Sequence, residues 1–421
     1  MAYFFIRDTL GVSDAALSRI ILQSPNVLGL SVARNLNLKS AFFNTLGISN
    51  AELGDMVVRH PPFLWLSLDD NIKPTLAWLH WHVGVSHTEL CALLKSAPAL
   101  LGYSIPHNLV PTMEFLKLEL ALSDAQLKSV LMRCPALFSL SVEANLAPKL
   151  AYLMAGARLS REALTAIAIA APQVLCYSVE DNLKPKFKFL VSRCHLRPAH
   201  VDALVRRHPA VLSNSMERKM RPLATYLRAL GCGPRELRDV VRRAPALFSS
   251  DLQTLDARVD LLRARLGLAD TELRKIVVAA PGALACRLDV KLDASSSTQR
   301  GLGLDAATIR RLVVAMPTLL ACSVEFNLAP KVALLLHVAG GDAARVAAAV
   351  AASPALLGYS TRGRIAPRLA ALQQAGLPFE ALLGVIRLTD VAFEEWLVKN
   401  APADAAQRGM QPSPEVLRSL E

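Results

Sequence analysis

Apolar and polar residues alternate with helical spacing along the chain, which predicts short helices separated by prolines. In one representative segment, Ser123 and Gln126 have the spacing of a capping box, and the helix that they begin runs to Arg133. Pro135 ends this helix because proline has no amide donor and restricts the residue before it. The apolar run over residues 136–140 is too short for a full helix and predicts a single turn.

A second helix follows this turn in the same segment. Ser141 is placed to cap it, and Leu146, Leu150 and Leu153 fall near one face of it. Pro148 must then lie in the first turns of the helix or mark where it begins. The local pattern is therefore helix, short turn, helix.

The same unit recurs ten times with a period of 36 or 37 residues. We number the copies as repeats 1 to 10 by their prolines and count positions from that proline, so that +3 lies three residues after it: Pro25, Pro61, Pro98, Pro135, Pro172, Pro209, Pro245, Pro281, Pro317 and Pro354. Leu or Phe stands at +3 in every copy, Ser at +6 in eight and Asn at +10 in six. One helix pair cannot bury its apolar faces alone, so we predict an all-α helical-repeat solenoid forming one array over residues 1–395.

Three places depart from this regularity. Repeat 8 is degenerate over residues 293–303, which we interpret as a weak joint. Residues 396–421 lose the periodicity and are expected to form a loose tail. Residues 3–11 look like the end of a repeat whose beginning is missing, so we expect upstream sequence in the natural protein and no transit peptide within this chain.

The repeat pattern resembles a known family. Its fullest copies are PALFSLSVEANLAPKLAYL (residues 135–153), PQVLCYSVEDNLKPKFKFL (172–190) and PTLLACSVEFNLAPKVALLL (317–336). They resemble the mitochondrial transcription termination factor family over roughly residues 3–395. The resemblance implies a left-handed all-α solenoid that binds double-stranded DNA in a mitochondrion or chloroplast, although some plant members act in RNA splicing. The Ala- and Arg-rich composition suits a green algal member. The repeated asparagine is replaced by Lys219, Leu255 and Lys291 in repeats 6 to 8, where residue roles carry over least.

Composition limits the alternatives. No apolar run reaches 18 residues without a charge or a proline, so we expect no membrane-spanning helix. The seven cysteines include no closely spaced pair, which favours buried thiols in a reducing compartment over disulfides or a zinc site. His80, His82 and His87 lie close together but lack a carboxylate or cysteine at ligand spacing. There is no phosphate-binding loop and no nucleophile motif, so we expect neither enzyme activity nor a cofactor or metal.

Positive charge is concentrated in the central repeats. Residues 184–275 contain 20 Lys and Arg against 9 Asp and Glu, a net +11 of the total +12. We interpret the basic repeats, about 184–311, as a nucleic-acid surface because a merely solubilising surface would mix both signs. Arg206 and Arg207 precede the proline of repeat 6, and Arg242 and Arg243 precede that of repeat 7. Further predicted contacts are Arg221, Arg228 and Arg258 in the basic segment, and a second row at +14 made of Lys39, Lys149, Lys186, Lys331 and Arg368.

The charge predicts a nucleic-acid partner, and the family resemblance implies that a monomeric protein binds organellar double-stranded DNA and regulates or terminates transcription. One alternative is an RNA-binding solenoid in organellar intron splicing or RNA maturation. Another is a protein-interaction scaffold, which would show no salt-dependent affinity for any nucleic acid.

Overall fold

The computed structural model describes residues 1–285 and 306–400, and every regular element in these ranges is helical. The all-α helical-repeat solenoid is therefore confirmed as the fold class. The chain divides into two compact units, Met1–Asn214 and Ser215–Glu421, which we describe separately as the amino-terminal and carboxy-terminal units. The predicted weak joint at residues 293–303 and nearly all of the predicted tail lie outside the described residues.

Each repeat begins with a first helix of ten residues. In repeat 4 the predicted capping box is confirmed, because the Gln126 amide donates to Ser123 Oγ at 3.3 Å and the Ser123 amide donates to Gln126 Oε1 at 2.9 Å. The first helices are Asp14–Gln23, Asn50–Arg59, His87–Ser96, Asp124–Arg133, Arg161–Ala170, Pro198–Arg207, Pro234–Arg243, Asp270–Ala279, Ala306–Ala315 and Ala343–Ala352.

A proline turn follows each first helix. The residue before the proline leaves the helical conformation, as at Cys134 with φ −144° and ψ 69°, because the proline ring disfavours a helical neighbour. The predicted single turn is confirmed as a five-residue 3₁₀ helix in nine repeats, and repeat 8 has the short α-helix Gly282–Ala285 instead. The nine turns are Pro25–Gly29, Pro61–Trp65, Pro98–Gly102, Pro135–Ser139, Pro172–Cys176, Pro209–Ser213, Pro245–Ser249, Pro317–Ala321 and Pro354–Gly358.

The second helix begins with a widened π turn wherever serine stands at +6. In repeat 4, Ser141 Oγ accepts from the Ala144 amide at 3.0 Å, and the Leu146 amide reaches back five residues to the Ser141 carbonyl at 3.1 Å. The π turns are Val32–Leu36, Leu68–Ile72, Ile105–Leu109, Val142–Leu146, Val179–Leu183, Met216–Met220, Val324–Leu328 and Thr361–Ile365.

An α-helical segment continues the second helix after each of these eight π turns, and Pro148 is the second residue of this segment in repeat 4. The segments are Asn37–Thr45, Lys73–Val83, Val110–Leu120, Ala147–Ala151, Lys184–Ser192, Arg221–Ala229, Ala329–Val338 and Ala366–Gln374. Repeat 7 has Asp251 in place of the serine, and its second helix, Leu252–Leu266, contains no π turn. Repeat 1 has the π turn although Leu38 stands at +13, the position of Pro148 in repeat 4. The π turn therefore accompanies the serine at +6 and does not require a proline at +13.

Shorter helices flank the repeats. Ala2–Phe4 and Phe5–Thr9 precede repeat 1, Tyr152–Gly156 ends the second helix of repeat 4, and Ala381–Val385 and Asp390–Asn400 follow repeat 10. Within the described ranges, no single helix has the length and apolarity needed to cross a membrane. One sharply bent pair, Glu325–Val338 with Ala343–Ala352, meets that test by length and composition only.

The apolar residue at +3 is the centre of each layer of the core. It is at most 8% exposed in repeats 2 to 10, as in Leu175 and Phe248, whereas Leu28 of repeat 1 is 50% exposed. Leu146, Leu150 and Leu153 are also buried, which confirms the predicted apolar face of the second helix. Stacking of consecutive repeats thus removes from water the apolar faces that one repeat leaves uncovered.

The cations at +14 lie inside the protein. Lys39, Lys149, Lys186, Lys331 and Arg368 are only 2–4% exposed, so the prediction that they form a row on the surface is wrong. Lys149 Nζ donates to the carbonyl of Leu175 at 2.5 Å, and Lys186 Nζ donates to that of Leu212 at 2.5 Å. Each carbonyl belongs to the +3 residue of the next repeat. We therefore do not assign these side chains to a nucleic-acid surface.

The same link is formed in other repeats. Lys39 donates to the Leu64 carbonyl, and Lys331 to that of Leu357 at 2.7 Å. In repeat 7 the neighbouring +13 residue, Arg258, donates to the Leu284 carbonyl at 2.5 Å, so this half-buried arginine is also an internal link and its predicted surface role is wrong.

After the last repeat, the guanidinium of Arg368 donates to the carbonyls of Val385 and Leu388. We call all of these contacts inter-repeat links.

The repeated asparagine at +10 supports these links. Asn145 Oδ1 accepts from Lys149 Nζ at 2.7 Å, and Asn327 Oδ1 accepts from Lys331 Nζ at 2.7 Å. A structural role for the asparagine, which its constant surroundings indicated, is confirmed in these two repeats. The amide oxygen and the carbonyl together replace water around an ammonium group that the fold has buried.

Removing one inter-repeat link should destabilise the amino-terminal unit. We expect Lys186→Met to lower the free energy of unfolding by about 1–3 kcal/mol, because the Leu212 carbonyl would lose its donor in a buried place. Urea denaturation followed by circular dichroism measures this. Lys188→Met, on the exposed side of the same helix, is the matched control. Equal effects of the two substitutions would contradict the assignment.

The links should also make stability depend on pH. Burial lowers the pKa of the Lys39 and Lys186 ammonium groups to about 8, below the value of about 10.4 in an unfolded chain. Between these values the unfolded chain holds protons that the native protein has released, so the free energy of unfolding rises with pH. Denaturation at several pH values should show the wild-type protein gaining stability, relative to a Lys39→Met and Lys186→Met variant, as pH rises from 8 to about 10. A constant difference would refute this.

Candidate nucleic-acid interface

In repeats 4 and 7, the arginine two residues before the proline links neighbouring first helices. Arg133 donates to the carbonyls of Ile169 and Ala170, the last residues of the next first helix. Arg243 does the same to the carbonyls of Val278 and Ala279, at 3.3 and 3.4 Å. Carbonyls at a helix C-terminus lack partners in the helix and lie at the negative end of its dipole, which favours a cation. These arginines therefore have a structural task as well as an exposed position.

Three of the predicted surface arginines near the prolines are exposed and weakly held. Arg206 forms an ion pair with Asp202 at 3.0 Å, and Arg242 lies 3.9 Å from Asp239; both arginine side chains are 48% exposed. Arg207 is exposed and has no ion-pair partner among the described residues. Exposed pairs of this kind contribute little, so phosphate groups can compete for these guanidinium groups. Arg206 and Arg207 belong to the amino-terminal unit and Arg242 to the carboxy-terminal unit.

A row of arginines follows one face of the helix over residues 216–229. Arg218, Arg221 and Arg228 are all exposed, and they lie on one side because their separations of three and seven residues match helical turns. We call these three residues the arginine stripe. Arg221 and Arg228 were predicted from charge. Arg218 was missed, although its spacing from them is visible in the sequence.

The start of this helix carries an acidic residue as well. Glu217 forms an ion pair with Arg221 at 3.1 Å, and the same +8 and +12 positions pair in Asp69–Lys73 at 2.6 Å and in Glu180–Lys184. Acidic residues occupy +8 in repeats 2, 4, 5, 6 and 9, where they already balance the positive end of the helix dipole. We therefore do not extend the interface to the N-termini of the second helices, although the amides of a helix N-terminus can bind phosphate.

Aromatic side chains near the basic segment are engaged within the protein. Phe187 and Phe189 are 5% and 7% exposed and belong to the core. Tyr226 donates its hydroxyl to Asp256 at 3.0 Å, and burial together with this carboxylate raises the pKa of the phenol. The Lys186 ammonium lies 4.8 Å from the centre of the Tyr177 ring. The basic segment can thus attract phosphate groups through its charge, whereas these aromatic rings expose little area on which bases could stack.

The histidines considered as metal ligands have other contacts. His80 Nδ1 lies 2.9 Å from the Val85 carbonyl, and the His82 ring stacks on Trp78. Among the described residues, no group of three or more His, Cys, Asp or Glu side chains is arranged to hold a metal ion.

Comparison with protein-family models gives a match that spans the chain. The model described as mTERF matches residues 5–193, 154–255 and 234–394. Comparison with curated protein sequences gives no significant match.

Substitution of the two adjacent arginines of repeat 7 should show that Arg243 stabilises the fold and that Arg242 does not. We expect Arg243→Ala to lower the thermal midpoint by a few degrees, because about 1 kcal/mol of bonding to the Val278 and Ala279 carbonyls is lost. Arg242→Ala should change it little, since its ion pair is long and exposed. Differential scanning calorimetry of both variants tests this. A larger loss for Arg242→Ala would reverse the assignment.

Proposed function

Because the chain belongs to the mTERF family of nucleic-acid-binding helical-repeat proteins, we propose that it binds double-stranded DNA through its phosphates. The arginine stripe of the carboxy-terminal unit is the observation that supports this most directly. Its three guanidinium groups are exposed on one helix face, in the part of the chain that holds nearly all the excess positive charge.

The dimensions of the stripe suit a phosphate backbone. Arg218 and Arg228 are ten residues apart, which is about 15 Å along a helix. Phosphates of one DNA strand advance about 3.4 Å per nucleotide along the axis, so the stripe spans roughly four of them. Arg242 adds an exposed cation to this unit, and Arg206 and Arg207 add two to the amino-terminal unit. A DNA backbone presents negative charges at regular intervals that a row of arginines can match, whereas the surface of a protein partner has no such regular spacing of charge.

The biological role that we propose follows from this binding. A protein held on the duplex blocks or regulates an RNA polymerase that reads the same DNA. Because proteins of this family are typically organellar, we propose a mitochondrion or chloroplast as the compartment. We propose that the protein acts as a monomer, regulating or terminating transcription.

Salt-dependent binding tests the proposal. We expect the fluorescence anisotropy of a labelled duplex of about 30 base pairs to show binding that weakens steeply with salt. The variant Arg218→Gln, Arg221→Gln, Arg228→Gln should flatten the plot of log K against log salt by about 2–3, because each lost phosphate contact removes about 0.9 from the slope. The matched control, Arg311→Gln, Arg387→Gln, Lys399→Gln, removes the same charge from exposed places elsewhere in the same unit.

The outcomes are distinct. Equal flattening by both variants would mean that net charge alone attracts the duplex and would refute the stripe. Tighter binding to a structured RNA than to the duplex at matched salt would select the role in RNA splicing or maturation. Failure to bind duplex, single-stranded DNA or RNA would refute nucleic-acid binding and favour the protein scaffold.

A further inference from the structure

Two cysteines from neighbouring repeats meet in the amino-terminal unit. Cys134 ends the first helix of repeat 4, and Cys176 ends the proline turn of repeat 5. Their Sγ atoms are 3.5 Å apart, although the residues are 42 positions apart in the sequence. Cys134 is 7% exposed and Cys176 is half-buried. The packing of repeat 4 against repeat 5 thus creates a pair of neighbouring thiols that the spacing of the cysteines in the sequence does not predict.

Two inter-repeat contacts hold this junction in place. Arg133, the residue before Cys134, bonds to the carbonyls of Ile169 and Ala170. Lys149 donates to the carbonyl of Leu175, the residue before Cys176. Both contacts join repeat 4 to repeat 5 next to the two cysteines. The backbone hydrogen-bonding of the junction therefore keeps the two sulfur atoms close together.

The surroundings divide the two thiols into different roles. A hydrogen bond from Cys176, with help from the Leu137 amide, lowers the pKa of the Cys134 thiol to about 7. The pKa of Cys176 is raised, because its thiol is held in the hydrogen bond with Cys134, the site is partly buried, and a second negative charge beside Cys134 is disfavoured. Thiolate character therefore resides on Cys134, and Cys176 keeps its proton.

We propose that Cys134 and Cys176 are an oxidation site at which hydrogen peroxide forms a disulfide between repeats 4 and 5. The site is independent of nucleic-acid binding. The sulfur atoms must approach from 3.5 Å to about 2.05 Å, a shift that rotation of two side chains supplies.

The chemistry balances without a cofactor. The Cys134 thiolate attacks one peroxide oxygen, the O–O bond breaks, and hydroxide leaves and takes up a proton as water. Cys134 is then a sulfenic acid. The Cys176 sulfur attacks Sγ of Cys134, the S–O bond breaks, and a second water leaves with the Cys176 proton. Two thiols are oxidised by two electrons and one peroxide is reduced to two waters. A thiol reductant reverses the step by exchange.

The disulfide would close a long loop, since repeat 4 and repeat 5 are otherwise joined covalently only through the chain between them. Closing a loop of this length restricts the unfolded chain, which favours the folded amino-terminal unit. In the reducing compartment that the free cysteines indicate, the pair rests as thiols, and an oxidant pulse converts it transiently.

Peptide mass spectrometry tests the proposal on the full chain. After treatment with hydrogen peroxide and digestion without reductant, we expect a linked peptide pair containing Cys134 and Cys176, two hydrogens lighter than the free peptides. The number of free thiols should fall from seven to five, and the thermal midpoint should rise by several degrees and return with dithiothreitol.

Three variants define the site. Cys176→Ser should stop the reaction at a Cys134 sulfenic acid that dimedone captures, and Cys134→Ser should give neither product at residue 176. Cys232→Ser removes a buried thiol in the other unit and should leave the linked pair unchanged. The proposal fails if the linked pair does not form in the wild-type protein, or if a Cys134→Ser, Cys176→Ser double variant loses as many thiols as the wild-type protein does. Because no readout involves nucleic acid, its failure is distinct from failure of the proposed function.

Discussion

A cation buried between neighbouring repeats is a contact that recurs along the chain, at Lys39, Lys149, Lys186 and Lys331. The proline turn leaves the carbonyl at +3 without a donor inside the core, and an orphan acceptor there would cost free energy. The lysine at +14 of the preceding repeat supplies the donor, as Lys149 does for Leu175. Its ammonium group in turn needs acceptors, and the asparagine at +10 provides a second one. In repeat 4 the lysine and the asparagine thus act together, because the lysine satisfies the carbonyl and the asparagine satisfies the lysine.

The fold could be predicted from the sequence because its period is carried by residues whose local effects are strong. Prolines end helices, serines cap them, and leucines at helical spacing define a buried face. The +14 lysines were misplaced because recurrence at one offset shows that side chains share a position, not whether that position is inside or outside. Helical phase contained the answer: Lys149 lies three residues from Leu146 and four from Leu153, on the buried face. The π turns could not be predicted, since serine also caps ordinary helices.

The candidate interface was predictable only in part for a related reason. Charge counting located the basic segment, and helical spacing could have added Arg218. Sequence could not reveal that Arg243 bonds to the carbonyls of a neighbouring helix while Arg242 remains exposed, because that distinction depends on how successive first helices pack. The acid at +8 was similarly ambiguous until its pairing with the +12 base was visible, as in Glu217 and Arg221. A charged side chain that pairs within its own helix can be distinguished from one that is available to a binding partner only when the structure shows which group it contacts.

The serine cap has a consequence for how such a protein can change. In eight repeats its hydroxyl holds the amide of the +9 residue, while the side chain of that residue lies in solvent. Those side chains differ from repeat to repeat: Arg34, Asp70, His107, Ala144, Asp181, Arg218, Phe326 and Gly363. The backbone contact is indifferent to what the side chain is, so a mutation here alters the outer surface without disturbing the stack. In these eight repeats the residue at +9 therefore has a fixed backbone position, while its side chain can vary without affecting the packing of the repeats.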